Sequence, residues 1–161
     1  PFYVYSEAPD KWIDPQNDSL HVGNFTPVWR WRRAMYNDQI CRMDWCTKPF
    51  EEANHHPVAA FNGDTSNSII RLKAKAGESI SLDASASTDP DNDELNFSWW
   101  VYEEAGTYKG SVAIPNQNNS TTSITISKEA SGKQIHVILE IHDSNHVAAL
   151  YDYRRIVIDV E

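Results

Sequence analysis

The hydrophobic period of this chain changes once, near residue 57, and that change limits the folds open to it. Upstream, Val28, Trp31 and Met35, and Trp29, Tyr36, Ile40 and Met43, recur three, four or seven apart. That spacing gathers them on one wide stripe of an α-helix. Downstream the period is two. Leu95, Phe97, Trp99 and Val101 alternate with Asn96, Ser98, Trp100 and Tyr102. Ile135, Val137, Leu139 and Ile141 alternate with Gln134, His136, Ile138, Glu140 and His142. Successive side chains of a strand point to opposite faces, so these runs predict strands.

Local chemistry bounds the helix. Thr26-Pro27 reads as a hydroxyl cap followed by proline at the first helical position, where its missing N–H costs nothing. Neither Gly nor Pro intervenes from Val28 to Thr47, and Pro49 pushes the residue before it out of the α region. A helix over about 27–47 is expected, its Trp/Arg surface packed on something larger than itself. Ahead of it, Phe2-Tyr3-Val4-Tyr5 reads as a short strand, and Ser6 to Asn24 as a polar stretch broken by Pro9, Pro15 and Gly23.

Beyond residue 57, further short strands are expected at 58–61, 69–74, around Ile80 and Leu82, around Ile124 and Ile126, and within 147–160. Many short strands separated by Gly, Asn, Asp and Ser argue for a mainly β, two-sheet sandwich, with Trp99 where an immunoglobulin-like fold places its core Trp. No Cys lies in this half, so the usual inter-sheet disulfide is absent. The expected organisation is an extension over 1–57 carrying one helix, packed on a sandwich over 58–161.

With 161 residues the chain can bury roughly 70% of its unfolded surface and needs no disulfide or metal to fold. Its net charge of −9 argues against phosphate backbones and anionic lipid as partners, since both need clustered cations. No apolar run approaches the ~18 residues of a membrane span. Neither nucleic acid nor membrane is expected as a partner. GxSxG, HExxH, CxxC, GxGxxG and a phosphate-binding glycine loop are all missing from the sequence. Glu51-Glu52 and Glu103-Glu104 are adjacent in sequence, which is no evidence for the through-space carboxylate pair of a glycosidase. No catalytic residue is assigned, and the chain is read as not an enzyme.

Cys41 and Cys46 are five apart, about 8–9 Å between Cα atoms on a helix, beyond the ~7 Å reach of a disulfide. Both read as free thiols buried against the sandwich. His142-Asp143-x-x-His146 and His55-His56 suggest no third zinc ligand by spacing and read as structural.

Two features carry binding chemistry. The chain has 6 Trp, roughly four times the ordinary share. Trp100 and Tyr102 share the outward parity of their strand, and Glu104 and Tyr108 lie in the turn that follows. An exposed aromatic row stacks on sugar rings; the competing reading has the helix cover this face. The second feature is Asp89-Pro90-Asp91-Asn92-Asp93, three carboxylates at alternate positions on a tight turn. Hard oxygen ligands suit calcium; in the competing reading, these side chains cap backbone N–H groups.

The run Leu82-Asp83-Ala84-Ser85-Ala86-Ser87-Thr88-Asp89-Pro90-Asp91-Asn92-Asp93-Glu94-Leu95, followed by Phe97-Ser98-Trp99-Trp100, resembles the signature of PKD-type immunoglobulin-like domains. Asn92 stands where Gly is usual, and Asn is the next-best residue for a left-handed turn. The resemblance adds Asn62, Asp64 and Asp143 to Asp89, Asp91 and Asp93 as candidate ligands of a structural calcium; no other cofactor is implied.

A second resemblance spans nearly the whole chain. It is carried by Trp29-Arg30-Trp31-Arg32, Asn37-Asp38, Arg42-Met43-Asp44-Trp45-Cys46, Ala53-Asn54-His55-His56-Pro57 and Asn62-Gly63-Asp64 in the first half. Trp99-Trp100-x-Tyr102-x-Glu104-Ala105-Gly106-Thr107-Tyr108 and Ile135-His136-Val137-Ile138-Leu139-Glu140 carry the rest. Together they resemble the C-terminal region of bacterial proteins described as cellulose-binding, whose N-terminal part is nucleoside-hydrolase-like. The resemblance implies a non-catalytic accessory domain that braces or extends that upstream domain, in a periplasmic or extracellular protein. The alternative is a carbohydrate-binding module that grips a polysaccharide with exposed aromatics.

Overall fold

The computed structural model describes residues 10–161. The elements run β1 (Lys11–Ile13), β2 (Leu20–Val22), α1 (Thr26–Trp45), a 3-10 turn (Phe50–Glu52), β3 (Ile70–Ala74), β4 (Ser79–Asp83) and β5 (Leu95–Val101). They continue with β6 (Thr121–Thr125), a second 3-10 turn (Lys128–Ala130), β7 (Gln134–Asp143) and β8 (Tyr151–Val160). The fold is mainly β with one long helix. The expected strand at residues 2–5 lies outside the described residues.

β5, β7, β8 and β3 form a four-stranded sheet in the order β3-β8-β7-β5, with β3 parallel to β8 and the other pairings antiparallel. β4 and β6 form a separate antiparallel pair. The inward parities meet in one core: Leu82 of β4 and Ile124 of β6 join Trp99, Val137, Leu139, Ile141, Ile156 and Ile158 of the larger sheet. Trp99 is fully buried, and its indole N–H donates to the Asn119 carbonyl at 2.9 Å, so its one polar atom is satisfied.

Two expected strands change, and one hairpin forms where no strand was expected. Residues 58–61 make only isolated bridges, Val58 to Thr88 and Phe61 to Asp64. The Asp152 carboxylate takes the Ala59 N–H at 2.8 Å and the Ser87 hydroxyl takes that of Ala60 at 3.0 Å, so side chains replace a ladder. Residues 147–150 form a turn held by Asn145 and Asp143, and β8 begins at Tyr151. The stretch read as a polar connection contains the β1–β2 hairpin. Its turn is closed by the Asp14 carboxylate accepting from Gln16 N–H and by the Asn17 side chain accepting from Ser19 N–H.

The helix forms where its spacing predicts, two residues shorter at its end, but its cap differs. Phe25 is the N-cap residue, and the Thr26 hydroxyl donates instead to the Asp10 carbonyl at 3.1 Å. The larger difference is orientation. Val28, Met35, Tyr36, Ile40 and Met43 face outward, and the side turned to the body of the protein carries Thr26, Arg30, Asn37, Cys41 and Trp45. That side is a stripe of donors at helical spacing. Asn37 Nδ2 donates to the Ala149 carbonyl at 2.7 Å, Cys41 Sγ to Ala148 at 3.6 Å, and Trp45 Nε1 to Asn54 at 2.7 Å. The acceptors are backbone carbonyls of non-ladder segments, which need donors once covered. Cys41 is buried as expected; Cys46, the first residue past the helix, is exposed, contrary to the expectation of two buried thiols.

Candidate binding cleft

The hairpin lies over the outer face of β5 and leaves a cleft of about 710 Å³. Its position follows from one cation. The Arg30 guanidinium, 6% exposed, donates from Nη2 to the Lys11 carbonyl at 2.8 Å and to Glu104 Oε1 at 2.7 Å. Glu104 Oε1 also accepts the Lys11 N–H at 3.1 Å, so hairpin, helix and the turn after β5 meet at one ion pair. The guanidinium carbon lies 5.4 Å from the ring centroids of Trp31 and Trp100 and 4.9 Å from that of Tyr102, within cation–π range. Burial alone would raise the Glu104 carboxyl, but hydrogen bonds from Arg30 and backbone N–H groups hold it below its ordinary value.

Trp12 projects from β1 and stacks on His21, which stacks on Trp29, at centroid separations of 5.4 and 5.2 Å. Trp12 and Trp100 both line the cleft, with Ser98, Gln117, Lys109, Glu103 and Glu104 supplying polar groups. Glu140, paired with Ser98 across the β5–β7 ladder, also lines it and borders a smaller cavity of about 100 Å³ with Tyr151 and Tyr153. Burial pushes the Glu140 carboxyl above its usual range against a hydrogen bond from Trp100 and the nearby charge of Arg33. Burial likewise raises the Tyr153 hydroxyl well above the ordinary tyrosine value. Aromatic rings beside a carboxylate and neutral hydrogen-bonding groups suit a ligand with an apolar ring face and hydroxyls on its edge.

The four residues expected to bind divide. Trp100 and Glu104 reach the cleft. Tyr102 is half-buried beneath Arg30, with Trp31 edge-on at 5.9 Å. The helix therefore covers part of this face, as one of the two readings required. Tyr108 packs against the main core, and its N–H donates to the Gln134 carbonyl. The turn between them needs Gly106, where a Cβ would stand 2.9 Å from the Gln134 carbonyl oxygen. Nothing in the sequence marks Arg30: one Arg within Trp29-Arg30-Trp31-Arg32-Arg33 has no feature that separates it from its neighbours.

Of the candidate calcium ligands, Asp89 Oδ1, Asp91, Asp64 and Asp143 are engaged with the protein's own donors, while Asp89 Oδ2 is buried without a partner. Asp89 Oδ1 accepts the N–H groups of Asp91 and Asp93 at 2.8 and 3.1 Å, and Asn92 takes the left-handed conformation at φ +62°. The Asp91 carboxylate holds the His55 N–H and Nδ1 at 2.7 and 2.9 Å. Asp143, fully buried, accepts from Asn54, Asn145 and Leu150. Asn62 stands in a separate turn at φ +48°, where Asp64 accepts the Ser66 N–H and pairs with Arg154 at 3.5 Å. Among the described residues, no three His, Cys, Asp or Glu side chains are grouped as metal ligands. His56 bridges Asp38 and the Tyr151 carbonyl. His136 is buried with the Arg155 guanidinium on its Nδ1 at 2.7 Å, and burial lowers its pKa.

Fold and cleft define a mainly β domain with a helix and hairpin fastened across one sheet. The family described as "Cellulose-binding protein Sde0182, C-terminal domain" matches residues 79–160, and the chain belongs to this family. Among solved structures, a nucleoside hydrolase-related hypothetical protein from Saccharophagus degradans, described as associated with carbohydrate metabolism, is 44% identical with a TM-score of 0.81. The likeness covers 83% of this chain and 33% of that one, so the chain spans about a third of the relative's length. An endo-fucoidan hydrolase of glycoside hydrolase family 107 is 18% identical with a TM-score of 0.42, over 66% of this chain and 14% of that one. No curated protein matches the chain.

Proposed function

We propose that this chain is a non-catalytic accessory domain of a longer, secreted, polysaccharide-directed protein, bracing or extending a nucleoside-hydrolase-like domain upstream of it. The observation that carries the reading is the 44% identical relative, matched over most of this chain yet over only a third of its own length. We read residues 58–161 as a PKD-type immunoglobulin-like sandwich and 1–57 as an extension upon it. The core shared by β4, β6 and the four-stranded sheet supports this. The Asp89–Asp93 turn is self-capped in this reading, so added calcium leaves the thermal midpoint unchanged. The purified chain is expected to cleave no nucleoside; release of free base from nucleosides by the chain alone would overturn the reading.

The cleft favours a second reading, a carbohydrate-binding module. Trp12 and Trp100 offer ring faces and Glu140 an acceptor, the chemistry that grips a pyranose. Retention on insoluble cellulose that falls at least tenfold in both Trp12→Ala and Trp100→Ala would support it. Retention unchanged in both variants would remove the cleft from consideration.

A further inference from the structure

Among the described residues, eleven of the fourteen large apolar side chains left exposed lie between Ile13 and Phe50. Six of them follow one arc of the helix region: Phe25, Val28, Met35, Tyr36, Ile40 and Met43, with Met35 60% and Met43 65% exposed. At about 100° per residue this arc lies opposite the donor stripe that holds α1 to the body of the protein. Scattered surface apolar residues are ordinary, but six gathered on one arc of a fixed helix, interrupted there by Arg32 and Gln39, mark a contact surface. Two methionines suit such a surface, since the unbranched thioether adapts to an irregular partner. The helix is not free to roll this face inward. Arg30, Asn37, Cys41 and Trp45 would each lose a partner, and the carbonyls of Ala149 and Asn54 would lose their donors.

We propose that the outward face of α1 is the seat of the rest of the longer protein, the part outside this chain. This rests on the accessory-domain reading and specifies where the accessory domain touches its partner. The relative of known structure has about twice as much chain outside the matched third as within it, so an occupant of sufficient size is at hand in the same polypeptide. A covalently joined partner also meets this face at high effective concentration, so a modest apolar area suffices.

Met35 and Met43 are the chain's only methionines and provide the test. Peroxide converts exposed methionine to the sulfoxide, read residue by residue by mass spectrometry. In the isolated chain both are expected to oxidise at the rate of a short peptide. In the natural full-length protein both are expected to slow about tenfold or more, as buried methionines do. Equal rates in the two proteins would overturn the proposal. Slow oxidation in the isolated chain, with a dimer in sedimentation, would assign the face to a second copy and overturn it equally. The double variant Met35→Glu/Ile40→Glu is expected to leave the isolated chain's circular dichroism and urea midpoint unchanged. In the full-length protein it is expected to turn one thermal transition into two; a single unchanged transition would contradict the docking. The two readings fail separately. Nucleoside cleavage by the isolated chain sinks the accessory role, whereas unprotected methionines beside an inactive chain remove only this surface.

Discussion

Residues 10–57 and residues 58–160 bury their side chains by different rules. In the second region apolar parity and burial coincide: Leu82, Trp99, Ile124, Leu139, Ile156 and Ile158 face one shared core. In the first, polar side chains turn inward and most apolar ones turn out. The second region is closed by water exclusion, which is non-directional and scales with area. The helix and hairpin are held by directional bonds, among them the Arg30–Glu104 pair and the donors of Asn37, Cys41 and Trp45. Such a region gains position rather than a core of its own, and its remaining apolar surface stays available to a partner.

Truncation on the two sides should separate the rules most widely. Trp99→Ala empties the centre of the core and is expected to cost about 3–5 kcal/mol in urea unfolding. Met35→Ala, on the outward face of α1, is expected to stay within about 0.5 kcal/mol. Comparable losses at the two positions would erase the distinction.

Arg30→Met tests the directional bonds. It leaves Glu104 partly buried without its cation, and breaking a buried pair costs about 3–5 kcal/mol, less here because Glu104 is not fully enclosed. The expected loss is about 2 kcal/mol. Trp fluorescence should report it before the sheet melts, since the hairpin is released first. Simultaneous loss of hairpin and sheet would show that the first region is part of the core.

Glu140→Gln has the smallest expected effect. Burial raises the Glu140 carboxyl in the folded protein. The sign follows: its stability contribution is complete below the unfolded value and is lost as pH rises through the raised folded one. The variant should therefore gain on the native protein as pH rises above the ordinary carboxylate value of 4.5. The His136 imidazole works the other way, because burial and the Arg155 guanidinium keep it neutral. The unfolded chain takes up that proton as pH falls below its ordinary value of 6.5, so stability falls from there toward the depressed folded value. An urea midpoint for Glu140→Gln that does not move relative to the native protein as pH rises would place Glu140 in solvent.

How far each feature could be read from residues follows the same division. The long strands were legible because a period of two states which face is buried; Leu95 to Val101 states it plainly, while in β7 His136 and Ile138 of the other parity are buried as well. The length of α1 was legible from Pro27 and Pro49. Its rotation was legible only in part: the Trp/Arg surface was expected to pack, and Arg30, Trp31 and Trp45 do, but Asn37 and Cys41 complete the packed side. Residues 58–61 misread for a related reason: the partners of Ala59 and Ala60 are side chains at 152 and 87, invisible to local pattern. Of the expected binding residues, Trp100 and Glu104 reached the cleft because strand parity and turn position are local facts. Glu140 shares that outward parity on β7, whereas Trp12 and Arg30 complete the cleft from a hairpin and a helix laid over the sheet, which parity does not encode.

The rotation of α1 is the claim on which the rest depends, and the two cysteines read it directly. Cys41 lies on the inward side and Cys46 in solvent. Under native conditions a thiol reagent should label one site rapidly, mapped to Cys46, while Cys41 reacts only as the helix detaches and responds to urea. Two sites labelled at the same rate, or Cys41 labelled first, would mean the helix presents its other face and would contradict the account.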